Sequence, residues 1–113
     1  MKIQQGHIWS VLLEATVANE QAGVRPCLVV STDRFNSLPI RQAIIVPLTS
    51  RDRGLPHHLP VHDDGSLTRP SWAMCEAVRA VSTTRFGRFV SMASTETTRA
   101  VIRQVASWMG PPR

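Results

Sequence analysis

Tyrosine is absent from this 113-residue chain, and Trp and Phe occur only three times each. Platforms on which bases could stack are therefore scarce, and Trp9, Trp72 and Trp108 are all expected to be core residues. No apolar run approaches the roughly 20 residues of a membrane-crossing helix. The opening Met1-Lys2-Ile3-Gln4-Gln5-Gly6 has no signal-peptide pattern, so a cytosolic location is expected. Cysteine is limited to Cys27 and Cys75, each in an apolar, strand-like run. Without a CxxC or finger spacing, both are expected to be free, buried thiols. Repeats and low-complexity tracts are missing too, which excludes solenoids and flexible linkers. The length fits one domain, 1–113, with a modest core.

Acid is the scarcer charge. Eight Asp and Glu face thirteen Lys and Arg, giving a net charge of +5, and only one of the bases is lysine. A basic domain points to a polyanion, most simply nucleic acid. A GC-rich genome would account for arginine replacing lysine, but not for the excess of base over acid.

Periodicity suggests a mainly β protein. Strands are expected at residues 7–13, 26–31, 42–48, 57–61, 71–81 and 88–92, with the longest bent in its middle. Thr32-Asp33-Arg34-Phe35-Asn36 predicts one capped helical turn. Pro60 argues that the 57–61 strand lies at an edge. Ser94 caps a final helix with Ala100, Val101, Gln104, Val105 and Trp108 at helical spacing. Gly110-Pro111-Pro112 stops it. The sum is a small SH3-like antiparallel barrel with a C-terminal amphipathic helix.

The segment Glu20-Gln21-Ala22-Gly23-Val24-Arg25-Pro26 carries the most chemistry. It puts a carboxylate, an amide, a glycine and an arginine in one loop before an apolar strand. Arginine's planar fork suits a phosphate. The run Ala43–Leu48 ends in Thr49-Ser50, and two strand ends could bring Arg25 and Thr49 together. His57, His58 and His62 are read as a solvated strand edge, because no further metal ligand is evident from the sequence.

Gly6-x-Ile8-Trp9, Glu20-Gln21-Ala22-Gly23-x-Arg25-Pro26, Val46-Pro47-Leu48-Thr49-Ser50, Arg69-Pro70-Ser71 and Cys75-Glu76 with Arg79 together resemble the MazF/PemK family of toxins. The resemblance covers nearly the whole chain. It implies a homodimeric, ribosome-independent and metal-independent endoribonuclease of a toxin–antitoxin system, with no cofactor. Single-stranded RNA would be cut through its own 2′-hydroxyl, leaving a 2′,3′-cyclic phosphate and a 5′-hydroxyl. A cognate antitoxin would lay a disordered tail over the RNA groove.

By the same resemblance Arg25, Thr49 and Glu76 are the catalytic residues. Arg25 would stabilise phosphorane charge, since guanidinium hardly ever gives up its proton. Glu76, if close to Arg25, would accept the 2′-hydroxyl proton. Glu20, Gln21, Asn36, Ser50 and Arg79 are the expected RNA contacts. Plainer readings stand beside these: a surface pairing of Arg25 with Glu20, and a pairing of Glu76 with Arg79 along one strand. Val101, Val105 and Trp108 would serve a dimer contact or pack on their own barrel. The chain departs from the family pattern at His7, Asn19, Met74 and Ala77. Two other functions fit the fold: a non-catalytic toxin that poisons DNA gyrase, and an RNA-binding module.

Overall fold

Three strands carry the molecule: β1 (His7–Leu13), β2 (Gly23–Val29) and β3 (Gln42–Thr49). Each is rich in β-branched and apolar residues, and each buries side chains on both faces. Ile8, Leu28, Val46 and Leu48 point to one face, where Ala73, Cys75 and Val101 complete a cluster. Trp9, Val11, Leu13, Cys27, Val29 and Ile45 point to the other, with Val81. Alternation with a period of two thus splits continuous apolar runs into two cores. The computed structural model describes residues 2–13 and 23–112.

The remaining elements are α1 (Asp33–Asn36), β4 (His58–Pro60), β5 (Trp72–Met74), β6 (Arg79–Ser82), β7 (Phe86–Met92) and α2 (Thr95–Ser107). The seven strands form one antiparallel sheet in the order β4-β5-β3-β2-β1-β7, with β6 also paired to β3. The sheet is barrel-like without closing. Its two ends approach where Asp63 bridges Ala93 and Ser94 N–H donates to the His62 carbonyl at 2.8 Å. The SH3-like architecture expected from the sequence is therefore present, including the edge position of β4 with its Pro60.

One expected strand is broken. Residues 71–81 form β5, a 3₁₀ turn at Cys75–Ala77, and β6, rather than a single bent strand. Both strands lie along the same side of β3: Leu48 pairs with Ala73, and Ile45 with Arg79. The turn inserts three residues and shifts the register of β6 by the same number. It also turns Glu76 out of the ladder.

Strand β7 is bulged against β1, with register shifts on either side of Trp9. The Ser10 hydroxyl fills one irregularity, accepting from Arg88 N–H at 2.9 Å. Gly87 lies against it: a Cβ there would come within 2.8 Å of Ser10 Oγ. Only glycine permits that approach. At the other end of β1, Gly6 turns the chain with φ +90°, a conformation other residues rarely adopt.

Helix α2 starts as its sequence predicts. Ser94 Oγ accepts from Thr97 N–H at 3.0 Å, and Val101 is fully buried under the barrel. Trp108 departs from expectation. It is half exposed, as the helix has ended there, whereas Trp9 is buried. Both cysteines are free and buried; burial pushes the thiols up to about 12 for Cys27 and about 11 for Cys75, so neither is a nucleophile near neutral pH.

Ile8, with no exposed surface, and the Ser94 cap set a hierarchy of stability. Urea unfolding is expected to show a loss of about 2–5 kcal/mol for Ile8→Ala and about 1 kcal/mol for Ser94→Ala. An equal loss in both variants would contradict this assignment of the core.

Candidate nucleic-acid cleft

Arg25 lies on β2 opposite Val11 of β1, two residues before Cys27, which pairs with Pro47 of β3. Its Nη1 donates to the Leu48 carbonyl at 3.3 Å, and its buried Nε has no partner among the described residues. No carboxylate among the described residues lies within ion-pair reach of it. The pairing with Glu20 weighed from the sequence lies outside the described residues, as do Glu20 and Gln21 themselves.

A half-buried guanidinium held, among the described residues, by one carbonyl is electrostatically incomplete there. It faces an open cleft of about 330 Å³ that Thr49, Ser50, Thr68, Arg69 and Ser71 also line. The Arg51 N–H donates to Thr49 Oγ1 at 3.2 Å, so the Thr49 hydroxyl keeps its own proton to donate into the cleft. A second hollow shares Arg25 and Thr68 and runs on to Ser10 and Arg88. Arg25 thus stands mid-way along a groove with Arg69 on one side and Arg88 on the other. Such a row of cations and hydroxyls suits a chain of phosphates.

A pair of acids, Asp63 and Asp64, holds the groove wall through a buried serine. Ser91 is fully buried, and its hydroxyl lies 2.5 Å from Asp63 Oδ2 and 2.9 Å from Asp64 Oδ1. One proton serves both carboxylates. Asp63 also accepts from Leu67 N–H at 2.9 Å, fixing the start of the Leu67–Arg69 wall. Burial works to raise the Asp63 pKa, but hydrogen bonds from Ser91, Leu67 and Gly65 outweigh it and leave the value lowered. Asp64 is lowered by hydrogen bonds from Ser66 and Ser91.

The other expected site residues are placed elsewhere. Asn36 is occupied internally: its Nδ2 donates to the Ser31 carbonyl at 3.2 Å, and its Oδ1 accepts from the Ser31 hydroxyl. Arg79 opens β6 and borders an apolar trough with Val30, Ile44 and Val105. Glu76 does not line the Arg25 cleft. Its carboxylate accepts from His58 Nε2 at 2.9 Å and lies 3.5 Å from His57 Nε2. The proximity of Glu76 to Arg25, and its alternative pairing with Arg79, are both replaced by this histidine pair. The reading of the histidines as a solvated edge is corrected for His58, which is buried, while His57 is partly exposed and His62 exposed. Sequence reasoning also passed over Arg69 and Ser71 as cleft residues. The available signal was Arg69-Pro70-Ser71, a proline-stiffened approach to β5.

Fold and groove define a small antiparallel β protein with a cationic cleft at its strand ends. Residues 4–109 match the model of the family described as PemK-like, MazF-like toxins of type II toxin–antitoxin systems, and the chain belongs to that family. It is 42% identical over 48 residues to Endoribonuclease PemK of Escherichia coli, a match covering 42% of this chain and 35% of that relative. The chain thus matches about a third of that curated relative's length. Its fold is similar to a crystal structure of MazF from Deinococcus radiodurans, with a TM-score of 0.84 at 21% identity, covering 98% of this chain and 99% of the other. A mycobacterial endoribonuclease solved in complex with its cognate antitoxin aligns with a TM-score of 0.77 at 18% identity, covering 98% of each chain.

The Asp63–Asp64 anchor makes the molecule acid-sensitive. Both folded pKa values lie below the ordinary 3.8. Their stabilisation is fully present above that value and is lost as pH falls through the folded values. The urea midpoint is expected to drop below pH 4, and Asp63→Asn is expected to flatten that drop. An unchanged acid limb in Asp63→Asn would refute the anchor.

Proposed function

We infer that this chain is the toxin of a toxin–antitoxin pair and a metal-independent endoribonuclease acting on single-stranded RNA. The observation that carries the reading is Arg25: a guanidinium fixed by Leu48, unpaired with acid among the described residues, sharing one cleft with the Thr49 hydroxyl. In the reaction the 2′-oxygen attacks the neighbouring phosphorus and releases its proton. The bond from phosphorus to the 5′-oxygen breaks, and that oxygen takes up a proton. The products are a 2′,3′-cyclic phosphate and a 5′-hydroxyl.

Negative charge accumulates on the non-bridging oxygens in the transition state. Arg25 and Thr49 meet it with a bidentate cation and a hydroxyl donor that are already oriented. Arg69, Ser71 and Ser50 hold the flanking phosphates and sugar, and Arg88 extends the track. Glu76 and Asn36 are engaged outside the cleft within one chain, so this reading does not depend on them.

Two protein partners complete the proposal. The trough bordered by Ile44, Val78, Ala80, Val105 and Met109 is predominantly apolar, and Met109 is 73% exposed. A second copy of the chain covers it, giving a two-fold homodimer. Val101, by contrast, belongs to the chain's own core. The cognate antitoxin places an acidic, disordered tail along the cationic groove and blocks RNA entry. An antitoxin tail peptide that left cleavage unaffected would contradict this placement.

Purified protein incubated with a long unpaired RNA in excess EDTA is expected to give cuts ending in cyclic phosphate and 5′-hydroxyl groups. Arg25→Ala and Thr49→Val should each lower the cleavage rate by about 10²–10³-fold, while Thr49→Ser retains most of it. Intact cleavage in both disabling variants would displace the site. Binding without cleavage by the wild type would leave an RNA-binding module, and neither would favour the gyrase-directed alternative. Light scattering should find a dimer that Ala80→Glu converts to monomer; a wild-type monomer would refute the trough as the interface.

A further inference from the structure

The cluster of His57, His58 and Glu76 lies outside the Arg25 cleft and has its own chemistry. Three elements converge to make it. His58 opens β4 and is buried. Glu76 sits on the 3₁₀ turn between β5 and β6. His57 lies just before β4, its ring edge-on to Trp108 at the end of α2 with centroids 5.7 Å apart. One ligand atom from each of His57, His58 and Glu76 lies within 4.8 Å of the others. The individual approaches are 2.9 Å from His58 Nε2 to Glu76 Oε2 and 3.5 Å from His57 Nε2 to Glu76 Oε1.

The two approaches, each to a different oxygen of the carboxylate, bracket the spacing a tetrahedral ion requires, and the full set, within 4.8 Å, reaches it once a partly exposed side chain turns inward. Bonds of about 2.0–2.1 Å to nitrogen and oxygen place neighbouring ligand atoms about 3.3 Å apart. Two neutral imidazoles and a carboxylate match the borderline-soft divalent ions, zinc above all, and not magnesium or calcium. His58 is already oriented, because among the described residues Glu76 is the hydrogen-bond partner of its ring and its buried Nδ1 has none. His57 and Glu76 retain 30% and 44% side-chain exposure, which leaves a path for the ion and an open coordination position for water.

We propose that His57, His58 and Glu76 form a binding site for a single divalent transition-metal ion of the zinc class. The bound ion ties edge strand β4 to the turn that divides β5 from β6, beside the end of α2. It is separate from the RNA cleft and supplies nothing to the cleavage reaction, so this inference does not rest on the proposed ribonuclease activity.

The test uses tag-free protein stripped with chelator and dialysed. Zinc chloride is titrated calorimetrically. Cobalt chloride is followed by its visible ligand-field absorption, and copper by quenching of tryptophan emission, with Trp108→Phe as the control for the reporter. One equivalent of zinc is expected to bind, with a tetrahedral cobalt spectrum and quenching that Trp108→Phe diminishes. His57→Ala and Glu76→Gln, both at partly exposed positions, should each weaken binding by more than about tenfold, with circular dichroism unchanged. His62→Ala should bind as the wild type does. No uptake by the wild type would overturn the proposal and leave the cluster a hydrogen-bonded pair holding β4. Uptake undiminished in both ligand variants, or lost equally in His62→Ala, would overturn it too.

Discussion

Strand β3 is the constraint on which the rest depends. It pairs with β2 on one side and, in succession, with β6 and β5 on the other, and Ala43, Ile45, Val46 and Leu48 are buried along it. A strand paired on both sides and buried on both faces from Ile45 to Thr49 has one register available to it, since a slip of one residue would exchange its two cores. That register sets where the strand ends. Leu48 presents its carbonyl to Arg25 and Thr49 presents its hydroxyl to the cleft because hydrophobic residues further back are locked.

The cleft gains its chemistry from what surrounds Arg25 as much as from Arg25 itself. A guanidinium paired with a carboxylate would offer an incoming phosphate little. Among the described residues no acid pairs with Arg25, and Asp63 and Asp64, which hold the Leu67–Arg69 wall, are engaged with Ser91 and the 63–67 backbone. They brace the wall without neutralising the groove. The positive potential of the chain is therefore available where the Thr49 hydroxyl can act with it, and charge complementarity governs both RNA approach and competition by an acidic partner.

Glu76 shows how a single backbone feature redirects a side chain. In a continuous strand it would have alternated with its neighbours and lain on the face opposite Arg79. The Cys75–Ala77 turn removes it from that alternation and delivers its carboxylate to His58 and His57. The same turn provides the register offset that lets β5 and β6 share one side of β3. Architecture and the histidine–carboxylate cluster thus have a common origin in three residues that leave the sheet.

Local pattern made much of this legible. Strand positions followed from apolar alternation, the helix start from Ser94, the edge position of β4 from Pro60, and buried thiols from two isolated cysteines in apolar runs. The union of Arg25 with Thr49 was also readable, because both stand at the ends of strands whose apolar runs had to be buried side by side. The break at Cys75–Ala77 was not, since the run from Ser71 to Val81 is apolar enough for a strand and only the competition of β5 and β6 for β3 divides it. For the same reason the His58–Glu76 pairing, the occupation of Asn36 by Ser31 and the exposure of Trp108 were decided by tertiary structure. By itself the sequence determined which residues must be buried and which ends carry charge. Which polar side chains meet depended on the register between strands distant in the chain, and that register is fixed only when both cores are packed.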